Sequence, residues 1–255
     1  MKIGIRDLSF GYTASLLFDN LSAELDGGKN GRPLVILGTS GCGKTTLLKL
    51  LGGLLKPRSG RVLFSDGSAT GFADSAGLSA RTSFMFQESR LLPWLTVEQN
   101  ICLPLEKDFG KKEARERARH FLSLVFLEEK ATAFPRQLSG GQAQRVSMAR
   151  AFAWPSAALF MDEPFQSLDI PLRMNLMEIC LSLNGLENHG GNRLLVAVTH
   201  DPREAIYMGG RIVILGAAGQ GIVFDRNIDL SAEDRAYGSS TAGVLEREML
   251  GYLAG

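Results

Sequence analysis

Cysteine is scarce in this sequence, and its three residues, Cys42, Cys102 and Cys180, lie far apart without a Cys-x-x-Cys pair. Such spacing argues against both a disulfide framework and a zinc site, and it fits a reducing compartment. The sequence also has no run of about 18 apolar residues, so no segment is expected to span a bilayer alone. Because the first ten residues lack the apolar core of a signal peptide, we expect a cytoplasmic location.

An excess of charge of either sign is missing as well. The chain has 28 Lys and Arg against 27 Asp and Glu, which leaves a formal charge of +1. A broad basic surface for a phosphate backbone is therefore not expected, and no nucleic-acid partner is predicted. Its 255 residues are 45% hydrophobic and 22% charged. These proportions exclude a disordered or fibrous chain and fit one ordinary globular domain or two small ones.

Short apolar runs separated by helical patterns indicate the fold class. Continuous runs of this kind, bounded by Gly, Pro or charged residues, are typical of strands buried on both faces of a mainly parallel sheet. They occupy residues 33–37, 82–86, 157–161, 194–198 and 211–215. The pattern predicts an α/β fold.

The remaining segments suggest how the chain is divided. Residues 1–30 alternate between polar and apolar side chains, which predicts antiparallel strands at one edge of the sheet and a hairpin loop over the glycine-rich residues 26–31. Residues 88–150 have helical character and exceed a simple crossover, so they predict an inserted helical subdomain. The core with its β-subdomain then takes residues 1–87 and 151–220, and a short tail takes 221–255.

A glycine-rich segment after the first apolar run fits the pattern GxxxxGK[ST] and opens a predicted helix. Glycines let backbone amides approach phosphate oxygens at a helix N-terminus, where the helix dipole favours anions. Lys44 can reach the β- and γ-phosphates, and the Thr45 hydroxyl can bind Mg²⁺. The predicted nucleotide-binding residues are Gly38, Thr39, Ser40, Gly41, Cys42, Gly43, Lys44, Thr45 and Thr46. Cys42 is interpreted as a small filler residue in this loop.

Two carboxylates follow the apolar run 157–161. Asp162 is predicted to hold Mg²⁺, because it stands where a buried strand reaches the ligand-binding edge of the sheet. Glu163 points in another direction, since successive strand residues face apart, and it can accept the proton of an attacking water. The pair therefore predicts hydrolysis of a nucleoside triphosphate.

The segment Leu138-Ser139-Gly140-Gly141-Gln142 resembles the signature of the nucleotide-binding subunit of ATP-binding cassette (ABC) transporters. The resemblance covers about residues 1–215 in the family's order: Tyr12, the phosphate loop, Gln87, LSGGQ, Asp162 with Glu163, residues 167–169, and His200. It implies a P-loop NTPase core of RecA-like type that hydrolyses ATP with Mg²⁺.

The resemblance also implies a homodimer with two composite sites. Ser139, Gly140, Gly141, Gln142 and Asp169 would act on the nucleotide bound by the other copy. Gln87 would contact the metal or the water and couple hydrolysis to movement of the helical insertion. His200 would contact the γ-phosphate and orient Glu163. The catalytic set would then be Glu163, His200, Gln87 and Lys44, with Thr45, Gln87 and Asp162 at the metal.

Aromatic residues carry the remaining expectations. Tyr12 is favoured over Phe10, two residues away, as the ring that stacks on adenine. Residues 86–101 resemble the importer branch for nitrate, sulfonate, taurine and pyrimidine precursors, in which Trp94 would meet the membrane subunit; the alternative for Trp94 is packing inside the insertion.

The implied partners are an integral membrane permease and, indirectly, an extracytoplasmic solute-binding protein. The chain would lie on the cytoplasmic face of the inner membrane. An exporter subunit remains an alternative, as does a soluble ABC clamp in DNA repair, translation or iron–sulfur assembly.

Overall fold

A computed structural model describes residues 1–28, 31–65, 73–74, 82–166, 168–186 and 193–254. In these residues the strands are β1 Lys2–Phe10, β2 Phe18–Asp26, β3 Leu34–Gly38, β4 Ser59–Ser65, β5 Ala73–Asp74, β6 Thr82–Met85, β7 Ala158–Asp162, β8 Leu194–Thr199, β9 Arg211–Leu215 and β10 Ile222–Asn227. They form two sheets, in the orders β2-β1-β4-β5 and β10-β9-β3-β8-β7-β6.

The helices are α1 Lys44–Leu51, α2 Val97–Leu124, α3 Gly140–Ala153, α4 Ile170–Leu186, α5 Pro202–Met208, α6 Ala232–Arg235 and α7 Ser240–Ala254. Helix α2 is interrupted at Gly110, whose φ of 75° lies outside the helical region. Among the described residues, no helix combines the length and the apolar character needed to cross a membrane.

The larger sheet confirms the α/β prediction. Strands β3, β6, β7, β8 and β9 pair in parallel, and β10 adds an antiparallel edge strand. The continuous apolar runs arise because the two faces of one strand supply different cores. On β3, Val35 and Leu37 belong to the apolar cluster that includes α2 and α3, whereas Leu34 and Ile36 belong to the cluster shared with α1 and the smaller sheet.

The predicted antiparallel strands of the N-terminal β-subdomain are confirmed, because β1 and β2 pair antiparallel. Their placement at an edge of the parallel sheet is wrong: they form a separate sheet with β4, which pairs along β1 from Lys2 to Ser9. Residues 26–31 are not a hairpin loop, because β2 and β3, which they connect, lie in different sheets. Lys29 and Asn30 of this segment lie outside the described residues.

Candidate active site

The phosphate-binding loop runs from the end of β3 to the start of α1. Its tight turn requires glycine at position 43, where φ is 105° and a Cβ atom would approach Leu17 and Phe18 within 2.9 Å. The Lys44 ammonium group donates hydrogen bonds to the carbonyl oxygens of Gly38 and Thr39, each at 2.9 Å. The loop therefore surrounds its own lysine at a helix N-terminus, which is a favourable arrangement for a phosphate chain.

Thr45 and Asp162 bring two hard oxygen atoms together. The Thr45 hydroxyl donates to Asp162 Oδ1 at 2.8 Å, across the gap between α1 and the end of β7. Asp162 is 4% exposed, and burial raises its pKa, although the Thr45 hydrogen bond acts in the opposite direction. A hydroxyl and a carboxylate are ligands that suit Mg²⁺, so the residues fit the predicted metal site.

Glu163 directly follows β7 and turns away from Asp162. It is not glycine, yet its φ is 47°, a left-handed conformation that costs on the order of 1–3 kcal/mol and is concentrated at functional sites. Its amide donates to the Val198 carbonyl at 3.0 Å, which ties it to β8. Glu163 Oε2 lies 3.1 Å from Nδ1 of His200, which follows β8. The predicted base and the predicted histidine are therefore in contact.

Gln87 lies beyond the end of β6 and reaches the same edge. Its amide nitrogen donates to Gln166 Oε1 at 2.6 Å. Gln166 was missed in the sequence analysis. Its position three residues after Glu163 is the feature of the sequence that could have indicated it. In the structure the Gln166 amide donates to the Glu163 carbonyl oxygen at 3.3 Å and closes a turn between the two residues.

These side chains line one open cavity of about 580 Å³, within the usual size range of small-molecule sites. The lining residues are Tyr12, Leu17, Ser40, Gly41, Gly43, Lys44, Thr45, Thr46, Gln87, Glu163, Gln166 and His200. They come from the segment between β1 and β2, the phosphate loop with the start of α1, and the carboxyl ends of the neighbouring strands β6, β7 and β8. The cavity thus combines a loop suited to anions with the carboxylate of Glu163.

Tyr12 and Phe10 differ in their exposure to the cavity. Phe10 is 8% exposed and belongs to the core, whereas Tyr12 is 66% exposed and lines the cavity. The two rings meet edge to face at 5.1 Å, and the Tyr12 hydroxyl lies 3.2 Å from the Thr46 hydroxyl. Tyr12 is therefore the ring that is available to a base in the cavity.

The residues predicted to act on the other copy's nucleotide do not line this cavity in the described chain. Ser139 and Gln142 instead close a capping box at the start of α3, in which the Gln142 amide donates to Ser139 Oγ at 3.2 Å and Ser139 N donates to Gln142 Oε1 at 2.9 Å. Asp169 Oδ1 accepts from the Leu172 amide at 3.0 Å and caps α4. Ser167 lies outside the described residues. Their role toward a second copy stays a prediction.

Two further side chains can be placed. Cys42 is 4% exposed, with its sulfur against Gly38, as expected for a filler residue. Trp94 is 69% exposed in the segment before α2. The alternative prediction, that it packs inside the helical insertion, is therefore wrong. Contact of Trp94 with a membrane subunit stays a prediction.

Comparison with known proteins gives a consistent result. The ABC transporter family profile matches residues 18–166. Over 202 residues the chain is 40% identical to the aliphatic sulfonates import ATP-binding protein SsuB 1 of Xanthomonas axonopodis pv. citri (strain 306), an alignment that covers 78% of this chain and 76% of that protein. The Pseudomonas putida SsuB protein is 39% identical over 220 residues, covering 86% and 75%.

A solved structure is similar over most of the chain. The dimeric post-hydrolysis state of the ATP-binding cassette MJ0796, bound to ADP and Pi, is 30% identical, with a TM-score of 0.73, and the match covers 90% of this chain and 100% of that one.

Proposed function

This chain belongs to the ABC transporter family and is an ATPase of that family, and from this premise we propose that it powers solute import through a separate membrane permease. The observation that carries the hydrolytic part of the proposal is the convergence of two contact pairs, Thr45 with Asp162 and Glu163 with His200, beside one phosphate-binding loop. The import part is supported by the relatives named above. The reaction is transfer of the γ-phosphoryl group of ATP to water.

The geometry supports the following roles. Lys44 and the loop amides stabilise phosphate charge, and the Thr45 hydroxyl and the Asp162 carboxylate would hold Mg²⁺. When bound, this ion would neutralise charge on the phosphate oxygens. Glu163 accepts the proton of the attacking water, and the imidazole of His200, 3.1 Å away, fixes the direction of its carboxylate. Tyr12 stacks on the adenine ring.

Gln87 completes the set on the side of the helical insertion. Because its amide contacts Gln166 and it follows β6, a change at the phosphates can pass to residues 88–150 through this side chain. This connection would link hydrolysis to movement of the permease.

We further propose that two copies assemble head to tail around two nucleotides. Residues 139–142 form the start of α3, where the helix dipole and the first-turn amides of Gly140 and Gly141 make a second anion-binding position. They do not line the cavity of their own chain, so their natural target is the γ-phosphate of a second copy. The dimeric state of the solved relative supports this assembly.

The relatives named above, which are aliphatic sulfonates import ATP-binding proteins, support a proposal for the solute class. We propose that the imported solute is a small oxyanion of the nitrate, sulfonate or taurine type or a pyrimidine precursor. An extracytoplasmic solute-binding protein would select it, and this chain would lie on the cytoplasmic face of the inner membrane.

Glu163→Gln tests the hydrolytic role. The neutral amide cannot accept a proton, so kcat should fall by about 10²- to 10⁴-fold while ATP binding is kept and an ATP-bound dimer accumulates. Turnover and gel filtration with Mg·ATP measure these effects. The matched control is Glu248→Gln, an acid that pairs with Arg226 at 2.6 Å away from the cavity. Near-normal turnover of Glu163→Gln would remove Glu163 from its role.

Membrane fractionation tests the transport role. The chain should sediment with membranes and be released when its permease is deleted, whereas a soluble clamp would remain in the supernatant. The solute-binding protein encoded with that permease is then tested for thermal stabilisation by nitrate, sulfonates, taurine and pyrimidine precursors. Failure of all four would reject the branch and leave the ATPase assignment intact.

A further inference from the structure

Arg173, in the first turn of α4, links two loops that border the cavity. Its Nη2 donates to the carbonyl oxygen of Leu168 at 3.2 Å, in the segment that precedes α4. Its Nη1 lies 3.3 Å from Asp201 Oδ2 and 3.2 Å from Glu204 Oε1, on the far side of His200. One guanidinium group therefore connects residues 168–169 with the start of α5.

The residues on both sides of His200 are held in the same network. The Thr199 hydroxyl donates to Glu204 Oε2 at 2.6 Å and accepts from the Asp201 amide at 3.1 Å. His200 lies between Thr199 and Asp201, so its backbone position is set by this network. Its side chain extends from the fixed backbone to Glu163.

The chemistry of the network requires arginine. Glu204 has a side chain that is 7% exposed, so its carboxylate needs a cation and hydrogen bonds to remain buried. The planar fork of Arg173 can serve two carboxylates and a carbonyl oxygen at once, which a lysine ammonium on a flexible stem does less well.

We propose that Arg173 is a positioning residue that fixes His200 against Glu163 and passes the position of residues 168–169 to that pair. The proposal rests on the proposed function, in which two copies assemble head to tail, and on the predicted role of Asp169 toward the second copy. Dimer closure would then move the segment of Leu168, and Arg173 would carry the displacement to the base and its histidine. Among the described residues, Arg173 is not one of those that line the cavity.

The test uses the full chain with substitutions at both ends of the contact. Arg173→Gln and Asp201→Asn should each lower kcat by about 10- to 100-fold, the range for a small misplacement of a catalytic group, with KM for ATP changed by less than about twofold. Arg173→Lys should recover part of the rate. The matched control is Arg203→Gln, which removes the 2.8 Å bond from the same helix α5 to Glu246 and should stay within about twofold of wild type.

A cycle with His200→Ala separates positioning from a merely structural role. If Arg173 acts through the histidine, Arg173→Gln should slow single-turnover hydrolysis by less than about twofold once His200 is absent. A multiplicative loss in that background, or a wild-type kcat for both Arg173→Gln and Asp201→Asn, would overturn the proposal. If Arg173→Gln does not fold, Asp201→Asn carries the same cycle.

The outcome is independent of the test of function. Hydrolysis by wild type that is lost in Glu163→Gln upholds the ATPase mechanism whatever Arg173 does. In that case equal rates for Arg173→Gln and Arg203→Gln would reject the positioning role alone.

Discussion

The buried side chain of Arg235 should be a principal stabilising element of the last part of the chain. Arg235 ends α6, is 3% exposed and lies under α5 and the segment after β10. Its guanidinium donates to four backbone carbonyl oxygens: Ile206 at 2.8 Å, Gly209 at 2.5 Å, Ile228 at 2.6 Å and Leu230 at 3.0 Å. Two of these carbonyls lie at the C-terminal end of α5, where a cation is favoured by the helix dipole.

Arg235→Met keeps much of the volume and removes every donor. Each buried carbonyl that loses its partner costs about 1–3 kcal/mol, and relaxation and water entry reduce the sum. For four carbonyl oxygens, with this reduction, we expect the free energy of unfolding to fall by about 3–5 kcal/mol. Arg235→Lys keeps the charge but can reach fewer carbonyls, so its loss should be smaller.

Urea unfolding followed by circular dichroism measures this loss. With a slope near the upper end for ordinary domains, about 3 kcal/mol per molar urea, the midpoint of Arg235→Met should fall by about 1–2 M. The control is Arg226→Met, which removes an ion pair to Glu248 whose partners are 49% and 35% exposed and should cost less than about 1 kcal/mol. If Arg235→Met and Arg226→Met unfold at the same urea midpoint, the hydrogen bonds of Arg235 do not contribute the expected free energy of unfolding.

Substitutions at three further positions test metal binding, adenine binding and core packing separately. Asp162→Asn should lower Mg²⁺-dependent hydrolysis by more than about 10²-fold in a magnesium titration, since an amide binds Mg²⁺ poorly. Its unfolding free energy should stay within about 1 kcal/mol of wild type, because burial already disfavours the charged carboxylate. Tyr12→Ala should raise KM for ATP by about 2- to 12-fold in steady-state assays, and Tyr12→Phe should not. Phe160→Ala, which removes a fully buried ring, should cost about 3–5 kcal/mol in denaturant unfolding.

The parallel strands could be predicted because β3, β7 and β8 are buried throughout and β9 nearly so. The run at 211–215 coincides with β9, and the run at 33–37 matches β3 within one residue at either end. Strand β4 carries no such signal: its burial pattern begins with three exposed residues, and its partner β1 is about 50 residues earlier. Pairing at this sequence distance depends on tertiary packing, and this is why the smaller sheet was mistaken for an edge of the larger one.

The active site divides in the same way. The phosphate loop, Asp162 and Glu163 are adjacent in sequence to strand ends, so local pattern suffices to find them. Gln166 and Arg173 matter through partners that are distant in sequence, Gln87 and Asp201. A single glutamine or arginine has no local signature that distinguishes such a contact from an ordinary surface position.

The side chains of the site also differ in burial according to their proposed roles. Lys44 and Asp162, which hold phosphate and metal in the proposed mechanism, are 6% and 4% exposed. Gln87 and His200 are exposed on loops that follow β6 and β8. A buried group is held by its surroundings whether or not a second copy is present, whereas an exposed loop residue gains fixed geometry from what covers it. We therefore expect closure of the proposed dimer to act on the exposed side chains of Gln87 and His200. The hydrogen bonds of Arg173 would determine how much of that movement is passed to Glu163.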